Sequence, residues 1–398
     1  RQEEWYTRRW PRRTASSICR WSSFWRGESF AHGPSWAWRG GLGVDSVILP
    51  SGKLPAPRLA QVVLGQLSAR RPGVVVRPAV GEDAAALLFG NELCVVTSDP
   101  ITGATTNLGW LGVHVCCNDL GAMGAEPVAL QVVLLLPEGT SEDWLRNVMG
   151  RMEAACAGLN VEITGGHTEV TDRVREPVFV GTALGRVPPG GRLVRSHGAQ
   201  PGDGLLVTKA LGLEGTAILA AEAGDDLACR LTAEELAKVL QEAEGYWQEI
   251  SVVKEGLLAA EAGATAMHDV TEGGLYVALR EMAAGSGLAF RVRAASLPVR
   301  PATRAVCNAL GLDPLGLISS GAMLIAHPQP FELQQRLAAA GIPAAVIGEL
   351  VATDPASGLA SGQGVLIEEG DEAAGSGPQV TPWPVREEDE LWRYWAGR

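Results

Sequence analysis

The chain has 398 residues, too many for one ordinary domain, and its 46% hydrophobic content is ample for real cores. A formal net charge of -12 argues against a general nucleic-acid binder and leaves room only for a local positive patch that receives phosphate. Seven cysteines without a CxxC pair read as reduced intracellular thiols, and no apolar segment has the length and flanking charges of a membrane helix, so a soluble, cytoplasmic protein of two α/β domains is expected.

Residues 1–45 differ from the rest. Trp5, Trp10, Trp21, Trp25, Trp36 and Trp38 stand among arginines, serines and glycines without helix or strand periodicity. RNA binding by charge and stacking, a targeting role and a poorly ordered extension from upstream reading of the gene are the alternatives; the last is preferred because the composition is foreign to the acidic body. Organised sequence begins near Val44. SGKLPAPRL, Ser51 to Leu59, approaches a helix over 57–67, and Lys53 either carries a mobile positive charge to a phosphate or is an exposed lysine; its spacing is not that of a Walker loop.

The stretch from Gly81 to Pro127 sets three aspartates at the edges of apolar segments. Leu93 to Thr97 is a β-branched run, which places Asp99 at the mouth of a strand before a turn at Pro100 and Gly103. Helical spacing follows from Thr106 to Met123, with Asn118 and Asp119 near its end. Separated carboxylates suit magnesium, which takes hard oxygen ligands and shares substrate phosphates; singly, Asp83 and Asp99 also read as turn or cap residues and Asn118-Asp119 as a helix end.

A strand over 128–136 and a helix over 141–159, capped by Thr140 or Ser141, come next. A strand over 161–164 leads into a turn, Gly165-Gly166-His167-Thr168-Glu169, whose glycines allow backbone amides to face an anion and whose histidine is either a proton carrier or structural. After a strand over 178–184 and a linker over 188–191, a second unit starts near Arg195. It holds a strand and turn over 204–209 and helices within 212–221 and 232–262, after which residues 264–270 approach a further turn. The turn HDVTEGGL follows, where Thr271 caps a helix and Asp269 and Glu272 face a site or satisfy the turn. A strand over 322–326, a helix over 331–340 and a strand over 346–351 complete the alternation. The domains expected are 46–190 and 195–355, with a tail over 356–398.

SGKLP, GEDAA, TSDPIT, NDLGAMGAEP, GGHTEVT, RSHGAQPGDGLLVTKALGLEGTAIL, DVTEGGL and SSGAMLIA follow one another in family order. From about Ser51 to Val351 the chain thus resembles the aminoimidazole ribonucleotide synthetase (PurM-like) superfamily, and most closely its hydrogenase-maturation, HypE-like branch. The resemblance implies an α/β (α+β) fold of two domains. The N-terminal one builds a shared β-barrel in a homodimer and the C-terminal one is an α/β sandwich. It also implies ATP and Mg2+ in a cleft completed across the dimer. Asp83, Asp99, Asp119 and Asp269 match metal positions, Lys53, Asn118, Gly165, Gly166 and Thr168 nucleotide-binding ones, and Lys53, Asp99 and Glu272 catalytic ones.

Three departures bear on the reaction implied. The sequence ends WRYWAGR, with Cys307 its last cysteine, where hydrogenase-maturation relatives carry a C-terminal cysteine that is modified. SGKLP lacks the reactive cysteine or selenocysteine of many selenophosphate synthetases. His167 stands where close relatives commonly have an acid. The function expected is Mg-ATP-dependent phosphorylation or activation of a small-molecule or protein-borne, amide-like substrate. The alternatives are a non-catalytic nucleotide-binding assembly protein and a small-molecule kinase resembling thiamine-monophosphate kinase.

Overall fold

A computed structural model describes residues 53–102, 106–352, 364–369, 379–386 and 388–397; the extension expected over 1–45 and the turn at Gly103 lie outside them. The described chain opens with α1 (Ala56–Arg58), a π turn over 59–63 and a 3-10 turn over 64–66, where one helix was expected. None of these residues is buried, so no packed face holds the segment to regular α geometry.

The first sheet contains β1 (Val74–Val76), β2 (Ala85–Phe89), β3 (Glu92–Ile101), β4 (Glu126–Leu136), β5 (Glu162–Val170) and β6 (Val178–Arg186) in the order β1-β2-β3-β6-β4-β5. Two helices accompany it, α2 (Leu108–Ala122) and α3 (Glu142–Leu159), and Ser141 caps α3 by accepting from the Trp144 amide. Along β6 every second residue is buried: Phe179, Gly181, Ala183 and Gly185. The small members let α2 lie close, since a β-carbon at Gly181 would stand 2.5 Å from Cys116 Sγ. Nearly every residue of α2 is buried, as expected of a helix that is apolar around its circumference.

Two sequence expectations change here. β3 does not end at Asp99 but continues through Pro100 to Ile101. Among the described residues only β6 pairs with it beyond Val96, and a strand paired on one side there tolerates the missing proline N–H. The Gly165–Glu169 segment is no turn: it runs inside β5, paired in parallel with β4 as far as Val170. Gly166 has φ 145°, and a β-carbon there would meet the Val132 carbonyl oxygen at 1.7 Å, so Gly166 serves close strand packing, whereas a β-carbon at Gly165 would enter open space.

The second sheet takes the order β13-β12-β9-β11-β7-β10-β8. Its strands are β7 (Gly204–Thr208), β8 (Ala266–Val270), β9 (Ala289–Arg293), β10 (Ala322–His327), β11 (Ala344–Val351), β12 (Val365–Glu369) and β13 (Gln379–Pro382). The helices of this half are α4 (Leu213–Glu222), α5 (Gly224–Ala228), α6 (Ala233–Tyr246), α7 (Val253–Ala262), α8 (Gly274–Ser286), α9 (Pro301–Leu310), α10 (Pro330–Ala339) and α11 (Glu390–Ala396). Strand alternation divides its core. Leu205 and Val207 face the α8 side with Leu275 and Leu279, while Leu206, Met323 and Ile325 face α7 and α10 with Ala259 and Leu333. Residues 365–369, 379–382 and 390–396, read from the sequence as tail, supply β12, β13 and α11. The mixed α/β architecture expected from the alternation of strands and helices is present, and among the described residues no helix is long and apolar enough to cross a membrane.

Candidate active site

A cleft of about 920 Å³ is lined by Lys53, the turn after Ala79, the ends of β3 and α2, the β8–α8 region and α11. Its shape starts with a glycine. Gly81 has φ 72°, and a β-carbon there would lie 2.8 Å from Glu281 Cβ, so the turn runs flush against α8. From that position Glu82 reaches Arg195 at 2.6 Å, and Asp83 Oδ1 meets His268 Nδ1 on β8. The other nitrogen of His268 lies 3.1 Å from Glu281 Oε2, and Lys53 Nζ donates to Glu281 Oε1 at 3.1 Å. The Lys53 amide donates to Glu272 Oε1 at 2.9 Å.

Thr97, two residues before Asp99, gathers the acids of the first sheet. Its hydroxyl donates to Asp119 Oδ2 at 2.6 Å and also lies 3.2 Å from Asp99 Oδ2 and 3.2 Å from the Asp83 carbonyl. Asp83, His268 and Asp269 each offer a ligand atom within 4.8 Å of the others. Asp83 Oδ2 and Asp269 Oδ2 are buried without a hydrogen-bond partner among the described residues.

The electrostatics follow from burial and crowding. Burial, reinforced by neighbouring carboxylates, raises Asp83, Asp119 and Asp269 above the ordinary range, Asp269 to about 8, with His268 opposing the rise at Asp83 and Asp269. Burial works against a charged His268, but Asp83 and Glu281 outweigh it and hold the imidazolium well above its usual range. At Glu281 burial is likewise overcome, by His268 and Lys53, which hold its pKa down to about 2. Around the cleft, Asp83, Asp99, Asp119, Asp269, Glu272 and Glu281 thus face Lys53 and His268 as the only cationic side chains among the described lining residues. An excess of carboxylate with two unpartnered, buried oxygens is a hard-oxygen donor set that fits a magnesium ion.

Of the residues expected from the sequence, the cleft collects Lys53, Asp83, Asp99, Asp119, Asp269 and Glu272. Asn118 does not join them. Adjacent helix residues point about 100° apart, and its amide faces the second half of the chain, donating to the Ile250 carbonyl at 2.9 Å and accepting from the Val252 amide at 2.8 Å. Gly165, Gly166 and Thr168 stay on exposed β5, outside the cleft of this chain, and His167 pairs there with Glu169 at 3.4 Å. Thr271 does not cap α8. The N-cap residue is Gly273, whose amide donates to Asp389 Oδ2 at 2.6 Å.

Thr97, His268 and Glu281 were not selected from the sequence. The HDVTEGGL motif contains His268, but its two carboxylate partners lie 185 residues before it and 13 after. Glu281 sits mid-helix with no local signature.

Family models for the AIR synthase related protein match this chain, the N-terminal domain over residues 81–187 and the C-terminal domain over 200–358. The chain is 33% identical over 281 residues to carbamoyl dehydratase HypE of Rhodobacter capsulatus, covering 69% of this chain and 78% of that one. A crystal structure of the hydrogenase maturation protein HypE superposes with a TM-score of 0.58 at 25% identity, covering 82% of this chain and 97% of that one. A structure of HypE in complex with ATP shares the fold at TM-score 0.58 and 24% identity, over 86% and 97% of the two chains. The chain therefore belongs to the AIR synthase related family of enzymes, in its HypE-like branch.

Proposed function

We propose that this enzyme uses Mg-ATP to activate the oxygen of a carboxamide, carried on a small molecule or on a protein. The observation that carries this reading is the pair of buried, unpartnered carboxylate oxygens on Asp83 and Asp269, in an acidic cleft that Lys53 approaches from its edge. Support for the nucleotide comes from the HypE relative bound to ATP, and for the carboxamide from the name carbamoyl dehydratase borne by the Rhodobacter capsulatus relative.

Asp83, Asp99, Asp119 and Asp269 would hold magnesium, which when bound draws charge from the phosphate oxygens. Lys53 then exchanges Glu281 for a phosphate oxygen. The amide oxygen attacks the γ-phosphorus and ADP departs. Loss of both amide N–H protons and of the oxygen as phosphate leaves a nitrile, so one water is removed from the amide for each ATP spent. Glu272, whose Oε1 accepts only the Lys53 amide among the described contacts, would take an amide proton in this reading.

The reading includes a homodimer. β5 is an edge strand exposed along its length, with Val170 59% exposed, and a second copy pairing there would protect it. Gly165, Gly166 and Thr168 then lie at the interface, where they would serve the partner's cleft.

The test is to incubate the protein with Mg-ATP and a panel of primary carboxamides, following phosphate and product mass. Magnesium-dependent ADP formation that requires a carboxamide, with a product lighter by one water, is expected. A protein that neither binds nor hydrolyses ATP with any of them returns the chain to the assembly role.

A further inference from the structure

Two of the acids offered to magnesium stand beside a nitrogen ligand that the chemistry above leaves unused. His268 and Asp269 follow each other on β8, and with Asp83 they each bring one ligand atom within 4.8 Å of the others. The Asp83 and His268 side chains are only 4% and 7% exposed, and Asp269 is 2% exposed. His268 is oriented from behind. Its Nε2 lies 3.1 Å from Glu281 Oε2, while Glu281 Oε1 accepts from Lys53 Nζ at 3.1 Å. Both oxygens of Glu281 therefore have partners, which makes it the orienting group and not a ligand. A carboxylate that accepts the far N–H of a histidine is the arrangement that fixes the tautomer of a metal-bound imidazole. Nδ1 is thereby turned to Asp83. Asp83 Oδ2 and Asp269 Oδ2 are shielded from solvent and have no hydrogen-bond partner among the described residues.

We infer that Asp83, His268 and Asp269 form a site for a first-row transition dication, such as Mn2+ or Fe2+, beside the magnesium that ATP brings. This deepens the metal reading above and rests on it. A histidine that served only to neutralise the acids would pair with Asp83 and Glu281 and leave the two buried oxygens unmet, whereas an ion meets both. Each carboxylate has two oxygens, so Asp83 and Asp269 can serve both cations. Magnesium prefers oxygen alone, while one imidazole among carboxylates favours the transition ions. Coordination through Nδ1 replaces the proton between His268 and Asp83, which leaves to solvent.

The experiment uses the full chain without nucleotide and Mn2+ as the probe. Electron paramagnetic resonance reports the bound ion, and its spin-echo form detects a directly coordinated imidazole nitrogen. Wild type is expected to show that nitrogen coupling and to bind Mn2+ at least about tenfold more tightly than Mg2+ in competition. H268N should lose both the coupling and the preference, while H167N, which alters the exposed histidine on β5, keeps both. Glu281→Gln leaves every proposed ligand in place and should weaken Mn2+ about tenfold through lost orientation, so it decides the matter if H268N does not fold. Coupling absent from wild type, kept in H268N or lost in H167N would overturn the inference, as would unchanged Mn2+ affinity in Glu281→Gln. Wild-type protein that binds neither Mn2+ nor Mg-ATP removes the metal reading itself; binding of Mg-ATP, with Mn2+ held through oxygen alone, removes only the nitrogen-ligated site.

Discussion

Lys53 Nζ lies 3.1 Å from Glu281 Oε1, a contact between residues 228 apart in sequence. It continues through Glu281 to His268 and Asp83, so the Lys53 segment is tied to acids proposed to hold the metal. Lys53→Ala is expected to lower kcat/KM for ATP about 100-fold with little change in Tm, because the Lys53 side chain is 44% exposed and its ion pair contributes little to stability. Glu281→Gln breaks the charge pairing on the more buried side of the same chain. It should cost about 2 kcal/mol in denaturant unfolding.

Glu214 gives the cleft a pH dependence of stability. Burial is the main cause that raises its pKa to about 7, Ser320 opposes the shift and Glu272 adds to it. The unfolded-state value is lower, so the folded state binds the extra proton. Stability from this group is complete below about pH 4.5 and is lost as pH rises through 7, by roughly 3 kcal/mol at pH 8. Chemical unfolding at pH 5 and pH 8 should show that loss in the wild type, and Glu214→Gln should remove this share of it.

Asn118 ties α2 to residues 250–252 and does not line the cleft. Asn118→Ala leaves the Ile250 carbonyl and the Val252 amide without their partner, and is expected to cost about 2–4 kcal/mol in urea unfolding with Mg-ATP affinity unchanged. A weakened affinity in a stably folded variant would restore the nucleotide role implied by the family resemblance.

The strand alternation, α2, α3 and the acids at Asp83, Asp99 and Asp119 were legible because each follows from local pattern: β-branched runs, 3.6-residue spacing, and polar residues interrupting apolar segments. The side of a helix on which a residue ends was not. Asn118 and Asp119 are neighbours in sequence and serve different surfaces of α2. The GGHTE glycines carry the signature of a turn, yet pairing with β4 draws them into a strand. Glu281 and the His268 bridge depend on contacts between distant segments, which no local window contains.

The exposed edge of β5 predicts a dimer that depends on close strand packing. Gly166→Ala places a β-carbon against the Val132 carbonyl and should displace β5. Sedimentation across dilution is expected to show a wild-type dimer and a variant shifted toward monomer. A compact, active wild-type monomer would count against an interface on this strand.

Asp119 gives the most direct test of the metal-phosphate assignment. Its Oδ2 accepts from Thr97, and burial together with Asp99, Asp269 and Asp83 raises its pKa well above the ordinary carboxylate range. Asparagine keeps the shape and the contact with Thr97 and removes the repulsion, so Asp119→Asn should leave Tm unchanged or slightly higher. Calorimetric titration of ATP with and without magnesium, on wild type, Asp119→Asn and Asp99→Asn, measures the lost charge directly. The wild type should bind ATP in a magnesium-dependent manner, and each variant should bind Mg-ATP at least about tenfold more weakly. Wild-type affinity and magnesium dependence in both variants would contradict the assignment and make these aspartates strand and helix-end residues.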